Sequence, residues 1–224
     1  NPQMVSIEKL TDAKEIAQIA ACIGRTLDHA LLAAVTGLAE PELMAAPDEL
    51  CAAGILECSG TPLGATYSFG HALLRDVAYE SLLRSRRRAI HRSVLAVLET
   101  AAGTPPEQLA HHAHGAEQWA KAMSHYGEAG GRAVERAAYA EGLSLLARAL
   151  DAGARLRGDA GSEIAVIDLK RTRARAFLAT GDVHSLLVEL RDAEARAARF
   201  GVPRLSCQLR TQRAHVESIF GGHS

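Results

Sequence analysis

One histidine stands where a strand pattern changes into a helix pattern. Tyr67 and Phe69 alternate as on one face of a strand, and after Gly70-His71 the residues Leu73, Leu74, Val77, Ala78 and Leu82 recur at helical spacing. An imidazole at such a joint lies beside the first N–H groups of the helix, which lack intrahelical acceptors and carry the positive end of the helix dipole. The chemistry on offer there is recognition of an anion. The competing reading of His71 is a residue that caps the helix or packs beneath the strands.

Two further sets of side chains invite a chemical role. Arg84, Arg86, Arg87, Arg88 and Arg92, with His91 among them, form a basic run late in the same predicted helix. Guanidinium groups so placed neutralise phosphates or form a solvated face that meets an acidic partner. His111 and His114 lie one helical turn apart with His112 between them. Two imidazoles make an incomplete ligand set, so no metal is expected. The chain has no G-x-x-x-x-G-K-[ST] phosphate loop, no G-x-S-x-G and no H-E-x-x-H. Paired carboxylates such as Asp48-Glu49 fall where a solvated helix face is expected. No catalytic residue is therefore assigned, and the chain alone is not expected to be an enzyme.

The elements that position these residues are mostly helices. Of 224 residues, 48% are hydrophobic but only 4% aromatic, so the apolar bulk is Ala, Leu, Val and Ile, which suits packed helices better than a sheet sandwich. A net charge of -1 argues against a wholesale nucleic-acid binder but leaves room for local basic patches. Four cysteines, Cys22, Cys51, Cys58 and Cys207, form no CxxC pair and read as reduced, buried thiols. With no bilayer-length apolar run and no leader, a cytoplasmic setting without membrane partners is expected. The opening residue, Asn1, suggests a piece of a longer protein.

Ile16, Ile19, Ala20 and Ile23 predict a first helix, started by Thr11 or Asp12 and ended by Gly24. Asp28 caps a second carrying Leu31, Leu32 and Val35, stopped by Gly37. Pro41 opens a third with Leu43, Met44, Leu50 and Cys51, which Pro47 should kink or split at a cost of about 3 kcal/mol. Ile55–Cys58 and Ala65–Phe69, around a Gly/Pro turn from Ser59 to Gly64, predict a two-stranded wing. Ala101-Ala-Gly-Thr-Pro-Pro106 breaks the pattern, and a domain boundary is placed there. Beyond it helix follows helix, with breaks near Gly115, Gly158 to Gly161, Gly181 and Gly201-Val-Pro203.

This second region resembles tetratricopeptide repeats, which put small residues where two helices cross. One register places Tyr126, Ala129, Gly130 and Ala133 on a first helix and Tyr139, Gly142, Leu146 and Ala149 on a second. The next places Ala174 and Phe177 before a Gly181-Asp182 turn and Leu186, Leu190 and Ala193 after it, with a loop from Arg157 to Ser162 between the two. A third begins near Arg204, with Leu205, Leu209, Val216, Ile219 and Phe220 as an apolar face that nothing in the chain covers. Trp119-Ala-Lys-Ala122 suggests an earlier, degenerate hairpin from Pro106. A plain antiparallel helical bundle is the other reading.

The first region, from Phe69-Gly-His-Ala-Leu-Leu-Arg75 to Ala78-Tyr-Glu-Ser-Leu82, resembles the end of the winged-helix domain in STAND signalling ATPases. The likeness is greatest to bacterial multidomain regulators, often carrying a nucleotide-cyclase domain, whose winged helix ends in F-R-H-A-L-x-R-x-A-Y-x-S-L. Plant and animal members carry M-H-D at this joint, and its His approaches the β-phosphate of bound ADP. Gly70-His71-Ala72 keeps the His and lacks the Met and Asp, and Gly70 replaces the Arg or Lys usual in the bacterial relatives.

The resemblance implies a mainly α chain, with a winged helix at 5-100 and a tetratricopeptide-like α-α solenoid at 105-222. It implies a non-catalytic regulatory segment that couples nucleotide state to binding of a protein or peptide on the repeat surface. ADP or ATP would be held by an absent ATPase core with His71 reaching toward it, and the segment itself would hold no cofactor. The parent would be an ATPase or nucleotide cyclase. The alternative is a DNA-binding transcription regulator with a helical sensing half. Its recognition helix would be 40–54, which carries Glu40, Glu42, Asp48 and Glu49 and no Lys or Arg, so DNA is not the expected partner.

Overall fold

A computed structural model describes residues 2–60, 64–156 and 160–220. The chain is mainly helical with one small antiparallel sheet, and it divides into two compact units. Unit 1 comprises Asn1–Thr104 and Gly115–Glu117, and unit 2 comprises Pro105–His114 and Gln118–Ser224. No described helix is long and apolar enough to cross a membrane.

Unit 1 runs α1 (Pro2–Ile23), β1 (Thr26–Asp28), α2 (His29–Thr36), α3 (Glu40–Ala52), β2 (Leu56–Ser59), β3 (Thr66–Phe69), α4 (Ala72–Glu80) and α5 (Arg84–Thr100). α1 starts well before Thr11 and Asp12, so neither begins it, and it is a long helix rather than a short one. The expected two-stranded wing is a three-stranded sheet in the order β1-β3-β2. β1 was hidden because only Leu27 of its three residues points inward. Its backbone nonetheless pairs Leu27 with Tyr67, while β2 pairs Cys58 with Tyr67 and Leu56 with Phe69 on the other edge. β3 is thereby central, which fixes the strand that leads to His71. Tyr67 and Phe69 are buried, as their alternation requires.

Asp28 does precede α2, but its carboxylate does not cap that helix. It accepts instead from the Thr66 hydroxyl at 3.3 Å, across the β1–β3 pair. Gly37 ends α2 in a left-handed conformation that glycine adopts without strain. α3 runs through Pro47 without splitting. The ring deprives Leu43 of its usual backbone donor, yet Leu43, Ala46 and Leu50 are all buried on one face, and that burial holds the helix together.

The single helix expected from Ala72 through Arg92 is two helices, broken at Ser81-Leu82-Leu83. Leu82 is buried and its carbonyl accepts from Arg87 Nε at 3.0 Å, so tertiary contacts turn the chain where no glycine or proline marks a break. The apolar set on α4 also divides. Leu74 and Ala78 are half-buried, whereas Leu73 and Val77 are 76% and 66% exposed. Only Cys22 among the cysteines is buried. Cys51 is half-buried, Cys58 and Cys207 are exposed, and all four are free thiols.

Unit 2 is built from α6 (Pro106–Gly115), α7 (Trp119–Glu135), α8 (Tyr139–Ala154), α9 (Ala160–Thr180), α10 (Val183–Arg199) and α11 (Pro203–Phe220). α7 packs on α8, α8 on α9, α9 on α10 and α10 on α11. The loop expected from Arg157 to Ser162 gives way to helix by Ala160, and residues 157–159 lie outside the described residues. Gly181 sits at φ +76° in the α9–α10 turn, and Asp182 caps α10 by accepting from Ser185 N–H at 3.0 Å.

One turn recurs through this unit. Ala137, Gly181 and Gly201 take φ of 61°, 76° and 69°. The residues after them, Ala138, Asp182 and Val202, each donate to the carbonyl five residues back, at 2.9 Å. Ala137, Gly181 and Gly201 themselves donate to the carbonyl three residues back, which completes a Schellman motif at each helix end. The apolar face of α11 is largely covered. Leu209 and Val216 are buried in a cluster with Ile167, Leu186 and Leu190, and Leu205 packs against it, leaving Ile219 and Phe220 exposed.

Candidate functional site

His71 occupies the N-cap position of α4 in extended conformation, φ −133° and ψ 133°. Two bonds hold the joint before it: Phe69 N–H donates to the Arg25 carbonyl at 3.2 Å and Gly70 N–H to the Ile55 carbonyl at 3.3 Å. The His71 carbonyl accepts from Leu74 N–H at 3.0 Å, while its ring makes no cap bond to the helix. The ring is exposed. It neither caps α4 nor packs beneath the sheet, and the first turn of α4 contains no acidic side chain. One turn further on, Arg75 is committed to its neighbour Asp76 at 2.7 Å. The arrangement is a fixed backbone presenting a solvent-facing imidazole at a helix N-terminus.

The basic run opens α5 rather than closing α4, and most of it has partners inside unit 1. Arg84 and Arg88 grip the Glu117 carboxylate at 2.6 and 3.2 Å, and these bonds hold that carboxyl below its ordinary range. Arg86 pairs with Glu15. Arg87 lies over the Tyr79 ring at 5.0 Å from its centroid and donates to the Leu82 carbonyl. Arg92 is exposed and makes no ion pair among the described residues. The guanidiniums thus tie together α1, α4, α5 and the segment ending at Glu117.

The three histidines of α6 differ in their surroundings. His112 is buried and His111 exposed, their rings 5.1 Å apart. His114 is wedged edge-on against Trp119 and Tyr126, at 5.2 and 6.2 Å between centroids. Arg155 lies over Trp119 at 5.0 Å and Arg148 over Tyr126 at 5.7 Å. Burial lowers the His114 pKa from 6.5, opposed by Asp151 and reinforced by Arg148 and Arg155. Sequence reasoning missed this aromatic–arginine cluster. The available signal was the seven-residue spacing of Arg148 in α8 and Arg155 at its C-cap, which puts both on one side of that helix, facing the ring-bearing α7.

The crossing of α7 and α8 rests on glycine. A side-chain carbon at Gly130 would come within 2.6 Å of Leu146 Cγ, and one at Gly142 within 2.8 Å of Val134 Cγ2 and 3.1 Å of the Gly130 carbonyl oxygen. Tyr126, Ala129, Ala133, Leu146 and Ala149 are buried around this contact, and Tyr139 is half-buried at its edge. Among the thiols, burial pushes Cys22 up to about 12 despite Arg87 and Arg86, which makes it inert at neutral pH.

No family model matches the chain, and no solved structure does. An uncharacterized protein of Rhizobium meliloti (strain 1021) is 30% identical over 150 residues, which covers 65% of this chain and 15% of that protein. The chain therefore spans a small part of the length of the curated relative it matches.

Proposed function

We propose that this chain is a non-catalytic regulatory segment of a STAND-type signalling ATPase, unit 1 acting as a winged helix and unit 2 as a tetratricopeptide-like solenoid. The observation that carries the reading is His71: an exposed, uncapped imidazole on a backbone pinned by β3, at the N-terminus of a helix with no acid in its first turn. A nucleotide-binding core elsewhere in the parent protein would present the β-phosphate of ADP to this imidazole, and the ATPase or cyclase chemistry would belong to that parent. ADP bound there favours the closed state, and a protein or peptide binding the repeat surface favours release, so the two ligands compete through one equilibrium. The glycine-on-glycine crossing of α7 and α8 and the repeated Schellman turns support the solenoid part of the reading.

The DNA-binding alternative requires a cationic helix in the major groove. α3 instead exposes Asp48 and Glu49 and carries no Lys or Arg. Titrating the chain with duplex DNA at low and high salt tests this. The regulatory reading predicts no tight, salt-sensitive binding. Binding that weakens steeply with salt, as counterion release demands, would replace it with the transcription-regulator reading.

A further inference from the structure

We propose that a cleft in unit 1, bounded by α1, α2, α3 and α5, binds a small carboxylate with an apolar tail. The cleft has a volume of about 500 Å³, in the range of small-molecule sites. Ile16, Ile19, Val35, Ala46 and Ile90 line it with hydrocarbon, and Leu38, 41% exposed, stands at its edge. Such a lining takes up an apolar tail and gives little reason for a wholly polar ligand to enter.

The head group follows from the donors on the wall. Ser93 and Thr36 border the cleft, but their hydroxyls donate to the Ala89 and Leu32 carbonyls at 3.3 and 2.9 Å. Among the described lining residues, the remaining strong donor is Arg86. Its Nη2 holds one oxygen of Glu15, while its Nε and Nη1 make no hydrogen bond among the described residues. Both side chains of that pair are about half exposed, 53% and 50%, so water already competes with it and a second carboxylate can displace Glu15. A guanidinium fork donates to both oxygens of a carboxylate, with the tail directed along the apolar wall. Among the described residues, Arg84, Arg86, Arg87 and Arg88 at this end of α5 are met by two carboxylates, Glu15 and Glu117, so the local charge favours an anion over a cation. The site is independent of His71 and of the regulatory reading.

The test is calorimetric titration of the full chain with decanoate and with decanol, both below micelle-forming concentration. Wild type should bind decanoate about tenfold more tightly than decanol, the difference a charge-assisted bidentate contact makes. Arg86→Gln should erase that difference. Glu15→Gln, which frees the fork, should tighten decanoate several-fold and leave decanol unchanged, so the proposal remains testable if the arginine variant misfolds. Absence of decanoate binding to both wild type and Glu15→Gln would overturn the proposal. So would equal affinity for the two probes in wild type, or decanoate affinity indifferent to both substitutions.

Discussion

Burial of His114 against Trp119 and Tyr126, opposed by Asp151 and reinforced by Arg148 and Arg155, makes adding a proton cost the native state more than the unfolded chain. Its native pKa is lowered from 6.5. As pH falls through 6.5 the unfolded chain takes up a proton that the folded one does not, and stability drops until the native ring protonates as well. The carboxylates act in a separate window. Glu194, held by Arg210 and Arg213, and Glu217, held by Arg191 and Arg213, lie below their ordinary 4.5, and their contribution is lost only as pH falls further. Urea unfolding of wild type and His114→Phe between pH 7 and pH 5 should therefore show the wild type losing stability faster on acidification. Parallel profiles would mean that the ring is not desolvated in the way described. His71 was legible in the sequence as a junction residue because residue types alone reveal the strand-to-helix change. The partners of Arg84, Arg86 and Arg88 were not, because Glu15 and Glu117 come from distant positions that no periodicity links to α5.

At the scale of elements, the α7–α8 crossing gives a paired prediction. Gly142→Ala adds a methyl against the α7 backbone, at 3.1 Å from the Gly130 carbonyl oxygen and 3.2 Å from Val134 N, neither of which yields easily. It should destabilise unit 2 by about 1–3 kcal/mol. Gly131 lies in the same α7 but a carbon there meets nothing within 4 Å, so Gly131→Ala should stabilise by about 0.5–1 kcal/mol through helix propensity. Thermal melts of the two variants measure both, and equal effects would contradict the crossing. Most helices were legible because Ala and Leu recur at clear helical spacing and glycines end them, as at Gly37 and Gly181. Four features were not. β1 buries one side chain only, the break between α4 and α5 has no glycine or proline, and the continuity of α3 through Pro47 is a tertiary effect of buried Leu43 and Leu50. The Schellman turn at Ala137 was equally obscure, since alanine gives no hint of the positive φ that glycine announces at Gly181 and Gly201.

For the whole molecule, the two units divide the labour proposed for them. Unit 1 fixes an imidazole at a helix N-terminus, and unit 2 supplies a run of antiparallel helices with a glycine-packed crossing and repeated turns. In the proposed regulatory reading, His71 approaches the nucleotide of a longer protein. The most direct test of that reading is the ADP dissociation rate of the full-length protein, wild type against His71→Ala. Loss of a phosphate-facing imidazole should speed ADP release about 5- to 150-fold, the range of a typical coupling energy of about 1–3 kcal/mol. Identical rates in the two proteins would reduce His71 to an exposed residue of the fold and contradict the account.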